Sequence, residues 1–503
     1  MSVLISEQVR DGVRKSMEPW LKDSVQFYEH QITGVRQMMT MRNFLLADDM
    51  GLGKSLQAIT VAIGDIVRDW AEKIIIIAPI TLKGNWSDEF DKFTGIPHII
   101  LGQSIDPKNP ERMRPLTPKK REEQLAEFNN MTGPRVLITN YEQIDKHLVT
   151  LNSMKFDIAI FDEAHYLKNP SAKRTKACHK LRANRYFMLT GTPMLNQVHE
   201  LWGILHLVDP VGYPKFWTFK NRYCVYGGFQ NKQVIGVKNE KELQERLNHV
   251  MIRRLKKDVL DLPDVQTIVK KLDLSEGAKK LYDKAEQELE IDMVGLDDPS
   301  EIENALTKLL RLKQICGTTL PFNGIDDSAK LDQALEDALE ITKTGRLVIF
   351  TQFRDVQEAI ADRLDKAAPD MPIWELNGDV KQHERQGIVK AWSAHKPFHG
   401  QPYGVIICML QVAGVGLNLT AARHAQFLDK LWVPGLNQQA VDRLHRIGAS
   451  ETQPVQILEY HMKGTVETRV EYVLKTKSKL FGTIVNDADF KQKLMKALRD
   501  KAA

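Results

Sequence analysis

Three short stretches of this 503-residue chain carry side chains spaced for work on a polyphosphate. Gly51-Leu52-Gly53-Lys54-Ser55 follows an apolar run and precedes the helix-prone LQAITVAI. Glycines let successive backbone N–H groups curve around phosphate oxygens, and the helix that follows adds its positive end. Lys54 is then placed to reach the β- and γ-phosphates, and Ser55 to ligate Mg²⁺. Taken alone, the same residues also suit an ordinary turn before a helix. Their front half is unusual, because LLADD puts Asp48 where a phosphate loop commonly has glycine, with Asp49 beside it.

The second stretch, FDEAH at 161–165, comes directly after the strand-like FDIAIF. Adjacent carboxylates at a strand end suit two tasks: Asp162 holds Mg²⁺ through water, and Glu163 orients and deprotonates an attacking water. An acidic strand-to-helix turn is the bland reading, and the pairing with Lys54 argues against it. The third stretch is QQAVDRLHRIG at 438–448. If helical, Gln439, Arg443 and Arg446 share one face at i, i+4 and i+7. By themselves two such arginines fit a salt-bridge ladder. A nucleotide hydrolase, however, needs a cation at the γ-phosphate, and an arginine finger supplies one.

These residues need strands and helices to position them. Short apolar runs fall at 74–78, 136–139, 156–161 and 186–189, and again at 347–350, 405–408, 425–428 and 455–458. Continuous apolar runs separated by helical patterns read as buried parallel strands. The expected fold class is therefore α/β, with two parallel-sheet lobes. The middle, about 195–341, reads as helices and loops, including LSEGAKKLYDKAEQELEIDM and LDQALEDALEIT. Residues 106–121, rich in Pro, Lys and Arg, read as a surface loop leading into a helix. Phe490, Leu494 and Leu498 lie at helical spacing, which predicts a docked amphipathic C-terminal helix over 486–503.

Composition sets limits. The chain is 43% hydrophobic and 27% charged, as ordinary globular proteins are. No apolar run nears the roughly 18–20 residues that span a bilayer, and the N-terminus lacks the apolar core of a signal peptide. Four scattered cysteines without a CxxC pair argue against zinc modules and disulfide frameworks. The net charge of +5 is too small to indicate a partner.

With these residues in hand, the chain resembles the Swi/Snf-like branch of helicase superfamily two over 27–480. DDMGLGKS matches that branch's own phosphate loop, which carries acids at Asp48 and Asp49; they are expected to point away from the phosphates. FYEHQITGVRQM resembles the adenine-reading segment, with Gln31 as the base contact. APITLKGNWSDEF, FDEAHYLKNP, LTGTPMLN, GVGLNLTAA and QAVDRLHRIG follow in the family's order, and MIRRLKKDVLDLP is specific to the branch. The resemblance implies two tandem RecA-like lobes. Residues 1–260 would form lobe 1 with a helical protrusion, and 261–485 a helical insertion plus lobe 2. It also implies ATP and Mg²⁺ as cofactors, with Gly51, Gly53, Gly416 and Gln439 among the nucleotide-binding residues. Arg443 and Arg446 would approach the ATP.

The implied activity is that of a DNA-dependent ATPase translocating on double-stranded or branched DNA, as a monomer and away from membranes. LWVPGLNQQAVDRLHRIG looks closer to the fork-remodelling and strand-annealing subgroup than to nucleosome remodellers. Two other readings stay open: a strand-separating DNA or RNA helicase, and an ATP-regulated nucleic-acid-binding scaffold. The setting expected is a bacterial or virus-infected cytoplasm, or the nucleus if the host is eukaryotic.

Overall fold

The computed structural model describes residue 12 and residues 15–106, 109–194, 197–227, 233–260, 263–292, 299–381, 384–398, 401–413, 417–432, 434–445 and 453–468. They separate into two compact units that part near residue 261.

The first unit is built on a seven-stranded sheet. Its strands are β1 (Phe44–Leu46), β2 (Lys73–Ala78), β3 (His98–Ile100), β4 (Arg135–Asn140), β5 (Phe156–Asp162), β6 (Ala183–Leu189) and β7 (Met251–Ile252). In space they run β7-β1-β6-β5-β2-β4-β3, and every pairing is parallel. Ile74–Ala78 of β2 are buried without a break, as expected of a central parallel strand covered on both faces. Helices α1 (Glu29–Thr40) and α2 (Lys54–Val67) pack together beside this sheet.

The second unit carries a six-stranded sheet of β8 (Gln266–Leu272), β9 (Leu347–Thr351), β10 (Ile373–Leu376), β11 (Val405–Met409), β12 (His424–Phe427) and β13 (Gln456–Met462). The order is β8-β13-β12-β9-β11-β10, again all parallel. Both expected lobes are therefore α/β, and each of the eight apolar runs became a strand.

Three expectations are corrected. Residues 103–106 and 109–115 form an antiparallel hairpin, not an irregular loop, before helix Pro118–Asn130 begins. The middle stretch is not free of strands. It holds a hairpin, Cys224–Gly227 with Gln233–Val237, together with β7 and β8. Both β7 and β8 are edge strands, and the mostly exposed β8 lacks the apolar run that marks a central strand. Finally, helix Pro434–Val441 stops before Arg443, which lies in the turn that follows. Gln439 and Arg443 thus do not share one helix. Arg446, Gly416 and the C-terminal segment 486–503 lie outside the described residues. Among the described residues no helix is long and apolar enough to cross a membrane.

A fully buried ammonium ties the second sheet to its covering helix. Lys330, near the start of helix Ala329–Ile341, donates to the Leu428 carbonyl at 2.9 Å and to Glu467 Oε1 at 2.6 Å. Neither side chain of the pair is more than 7% exposed. Lys330→Ala leaves Glu467 charged and buried, so it should cost about 3–5 kcal/mol. Chemical denaturation should show this as an earlier transition, with Lys330→Met/Glu467→Gln recovering most of it. An unchanged transition in the single variant would contradict the assignment.

Candidate nucleotide site

Two of the chemical stretches, 51–55 and 161–165, and the LTGTP segment converge because β1, β5 and β6 are neighbours in the sheet. Each strand delivers its motif from its carboxyl end, the edge at which parallel α/β sheets bind ligands. β1 runs into 47–55, β6 into Thr190–Thr192, and β5 ends at Asp162. Gly51 and Gly53 have φ of 81° and 74°, the left-handed region that favours glycine. A Cβ on Gly53 would also lie 2.3 Å from Gln31 Nε2. Gly191 packs against the loop so closely that a Cβ there would meet Met50 Cγ at 2.8 Å.

Asp48 and Asp49 turn away from this nest, and each has a partner some two hundred residues downstream. Asp48 is fully buried and faces Arg254. The Arg254 Nε and backbone N–H donate to Asp48 Oδ1 at 2.9 and 3.2 Å, and Gln57 Nε2 donates to Oδ2 at 3.2 Å. Arg254 also donates to Gln57 Oε1 at 2.9 Å and to the His30 carbonyl. Asp49 Oδ2 accepts the Lys256 N–H at 3.0 Å, and the Asp49 N–H reaches the Arg254 carbonyl at 3.0 Å. Pairing of Leu45 with Met251 and Leu46 with Ile252 sets this register. Gly34 of α1 leaves room for the cluster, since a Cβ there would fall 2.0 Å from Gln57 Oε1.

Lys54 donates to the carbonyls of Asp48 at 2.7 Å and Asp49 at 3.1 Å. Burial lowers its pKa, opposed by the nearby charges of Glu163, Asp48, Asp162 and Asp49. Ser55 follows it in the first turn of α2. Asp162 accepts from Trp86 Nε1 at 2.8 Å and from the Glu163 N–H at 2.9 Å. Burial first, and then the charge of Glu163, push its carboxyl up to about 6. Glu163 has φ of 50°, a left-handed conformation costing a non-glycine residue roughly 1 kcal/mol or more. Its Oε2 lies 3.1 Å from His165 Nδ1, which also contacts Thr190 Oγ1 at 3.3 Å. Gln31 is only 2% exposed; its carboxamide donates to the Leu52 carbonyl at 3.2 Å and accepts the Tyr28 N–H at 3.0 Å. In the second unit Gln439 and Arg443 are both buried, and the Arg443 carbonyl accepts the Leu419 N–H at 3.0 Å.

Sequence reasoning had left Arg254, Gln57, His30 and Lys256 without roles. The arginine pair at 253–254 stood out in the sequence, but its partner is 206 positions away, and only the edge pairing of β7 on β1 brings them together.

This is the parallel α/β lobe of a P-loop protein. The model of the SNF2-related domain matches residues 30–319, and that of the helicase conserved C-terminal domain matches 330–448. The chain belongs to the SNF2-related family. It is 27% identical to the putative ATP-dependent helicase/translocase YwqA of Bacillus subtilis (strain 168), over 97% of this chain and 52% of the relative. It is 30% identical to an uncharacterized ATP-dependent helicase of Mycoplasma pneumoniae, over 90% of this chain and 41% of the relative. The chain thus spans about half or less of these curated relatives. The Sulfolobus solfataricus SWI2/SNF2 ATPase core in complex with dsDNA aligns at 25% identity and a TM-score of 0.41, over 90% of this chain and 91% of that one.

Removing the Arg254 guanidinium strands a buried carboxylate. Arg254→Ala should therefore destabilise the first unit by about 3–5 kcal/mol, and Asp48→Asn combined with Arg254→Gln should restore part of it. Thermal unfolding of the full chain measures this. A single variant melting with wild type would show that the ion pair does not hold the loop.

Proposed function

We propose that the protein is an ATP-dependent translocase on double-stranded DNA, a DNA-dependent ATPase acting at forks, junctions or protein–DNA complexes. The observation that supports this most is the convergence of the Gly51–Ser55 loop, Lys54 and the Asp162–Glu163 pair at adjoining strand ends. The residues present fit a Mg²⁺–nucleotide. Two left-handed glycines and a helix start offer N–H groups to phosphates, and Lys54 donates to two carbonyls of its own loop, partners that an anion could replace. Among the described residues no cluster of three or more His, Cys, Asp and Glu side chains is arranged for a metal.

When bound, Mg²⁺–ATP supplies the phosphoanhydride whose hydrolysis drives movement. Lys54 would exchange the Asp48 and Asp49 carbonyls for the phosphates, and Ser55 and Asp162 would hold the ion. Glu163 positions a water and takes its proton, with His165 steadying the carboxylate. Gln31 reads the adenine edge, and Gly416 and Gln439 add contacts. By the motif resemblance, Arg443 and Arg446 would supply the positive charge that hydrolysis needs. These second-unit roles and the preference for forks rest on the motif resemblance, the latter on LWVPGLNQQAVDRLHRIG. A grip on phosphates makes binding weakly sequence-specific and strongly salt-dependent.

Steady-state ATP hydrolysis with no nucleic acid, single strands, duplex, forked DNA and RNA tests the proposal. Duplex should stimulate, the fork most of all; Glu163→Gln should abolish turnover, and Arg446→Ala should slow it about 10³-fold. Stimulation by RNA alone, or none at all, would overturn it.

A proton competes with the ion at Asp162. Its folded pKa lies above the ordinary carboxylate value, so the free fold gives up stability as pH rises through about 6. By the same sign, Mg²⁺–nucleotide affinity should fall as pH drops below about 6. Trp86→Phe removes a hydrogen bond to the ionised form and should move that midpoint to higher pH. Affinity that stays flat between about pH 5 and 7 would count against Asp162.

A further inference from the structure

Between β6 and β7 the chain builds a helix, Phe216–Tyr223, that runs directly into the hairpin Cys224–Gly227 with Gln233–Val237. Phe219 and Tyr223 are buried and anchor the helix. Phe216 packs edge-on against Trp202, with ring centroids 5.5 Å apart. Trp217, its ring centroid 6.0 Å from that of Phe216, is 66% exposed, the most exposed tryptophan among the described residues. One ammonium holds the surface aromatics together. Lys220 Nζ lies 5.4 Å from the Trp217 ring centre, 6.0 Å from that of Phe216 and 5.4 Å from that of Tyr226.

The charge around this platform is mostly positive. Among its described residues, 215–238 hold Lys215, Lys220, Arg222 and Lys238 and no acid. Lys215 and Lys238 are exposed. Arg222 is shared with Glu242, which lies just beyond the segment.

We infer that the Trp217 platform stacks against an unpaired base of a nucleic-acid strand whose phosphates lie along the flanking lysines. The inference rests on the translocase reading and adds a specific surface to it. An indole left in water is costly unless a partner covers it, and a flat ring beside cations suits a base joined to phosphates. Inside a duplex both faces of a base are covered by its neighbours; only a single strand, a fork or a frayed end presents one. Stacking is tolerant of base identity, so the platform recognises DNA structure and not sequence. A fork supplies both kinds of DNA at once, duplex for the motor and unpaired bases for Trp217. The platform therefore favours forked over closed DNA.

Fluorescence anisotropy of the full chain, without ATP, tests this with three labelled probes. They are a single-stranded oligonucleotide, a forked duplex, and a duplex capped at both ends by non-nucleoside linkers. Trp217→Ala should bind the single strand and the fork about 5- to 150-fold more weakly, the range found for one base–aromatic stack. It should bind the capped duplex within about twofold of wild type, and Trp217→Phe should keep most of the affinity for the fork. Unchanged affinity of Trp217→Ala for the fork would overturn the inference. So would an equal loss on fork and capped duplex, which would mean a contact with backbone alone or a damaged fold. Failure of the wild type on the capped duplex would instead count against the double-strand reading and leave the stacking inference to stand on the other two probes.

Discussion

The buried ion pair between Asp48 and Arg254 decides how the phosphate loop is shaped. A carboxylate with no exposure to water is tolerated only when cations and hydrogen-bond donors surround it. Here Arg254 and Gln57 provide them. Once Asp48 is satisfied inward and Asp49 is held by the Lys256 N–H, the N–H groups of 51–55 are left for an outside anion. Two acids in a phosphate loop look self-defeating in the sequence. In the fold they are the anchor that turns the loop's other side outward.

That anchor reaches further than the loop. Arg254 also binds the His30 carbonyl, next to Gln31, whose carboxamide contacts Leu52. One guanidinium therefore links the edge strand β7, the helix after the loop and the start of α1. Chain from β7 passes within about ten residues into the second unit, so the cluster lies close in sequence to where the first unit ends. The strained backbone of Glu163 belongs to the same design. Its left-handed conformation is held by the Tyr141 hydroxyl on the Asp162 carbonyl at 2.8 Å and by the Asp162 carboxylate on its own N–H.

Much of the fold was legible in the sequence because its central strands are buried on both faces and so read as unbroken apolar runs. IIIIA and LVIF are such strands. What escaped were the edges. β7 has two residues and β8 is mostly exposed, so neither carries that signal. The GLGKS loop and the DEAH acids were legible because their chemistry is local, a few residues acting through one turn. Arg254 was not, because its role depends on an edge pairing that joins positions 206 residues apart. The supposed helical face of Gln439 and Arg443 failed for a local reason: the helix that starts at Pro434 ends at Val441, and tighter turns follow.

Calorimetric titration of Mg²⁺–ATP into the wild-type chain, Lys54→Ala and Arg254→Gln tests the central claim most directly. The wild type should bind about one nucleotide per chain, Lys54→Ala should bind none detectably, and Arg254→Gln should bind weakly at temperatures where it remains folded. Wild-type affinity in a folded Arg254→Gln would show that the buried pair does not shape the phosphate loop. No binding by the wild type would show that the loop is not a nucleotide site.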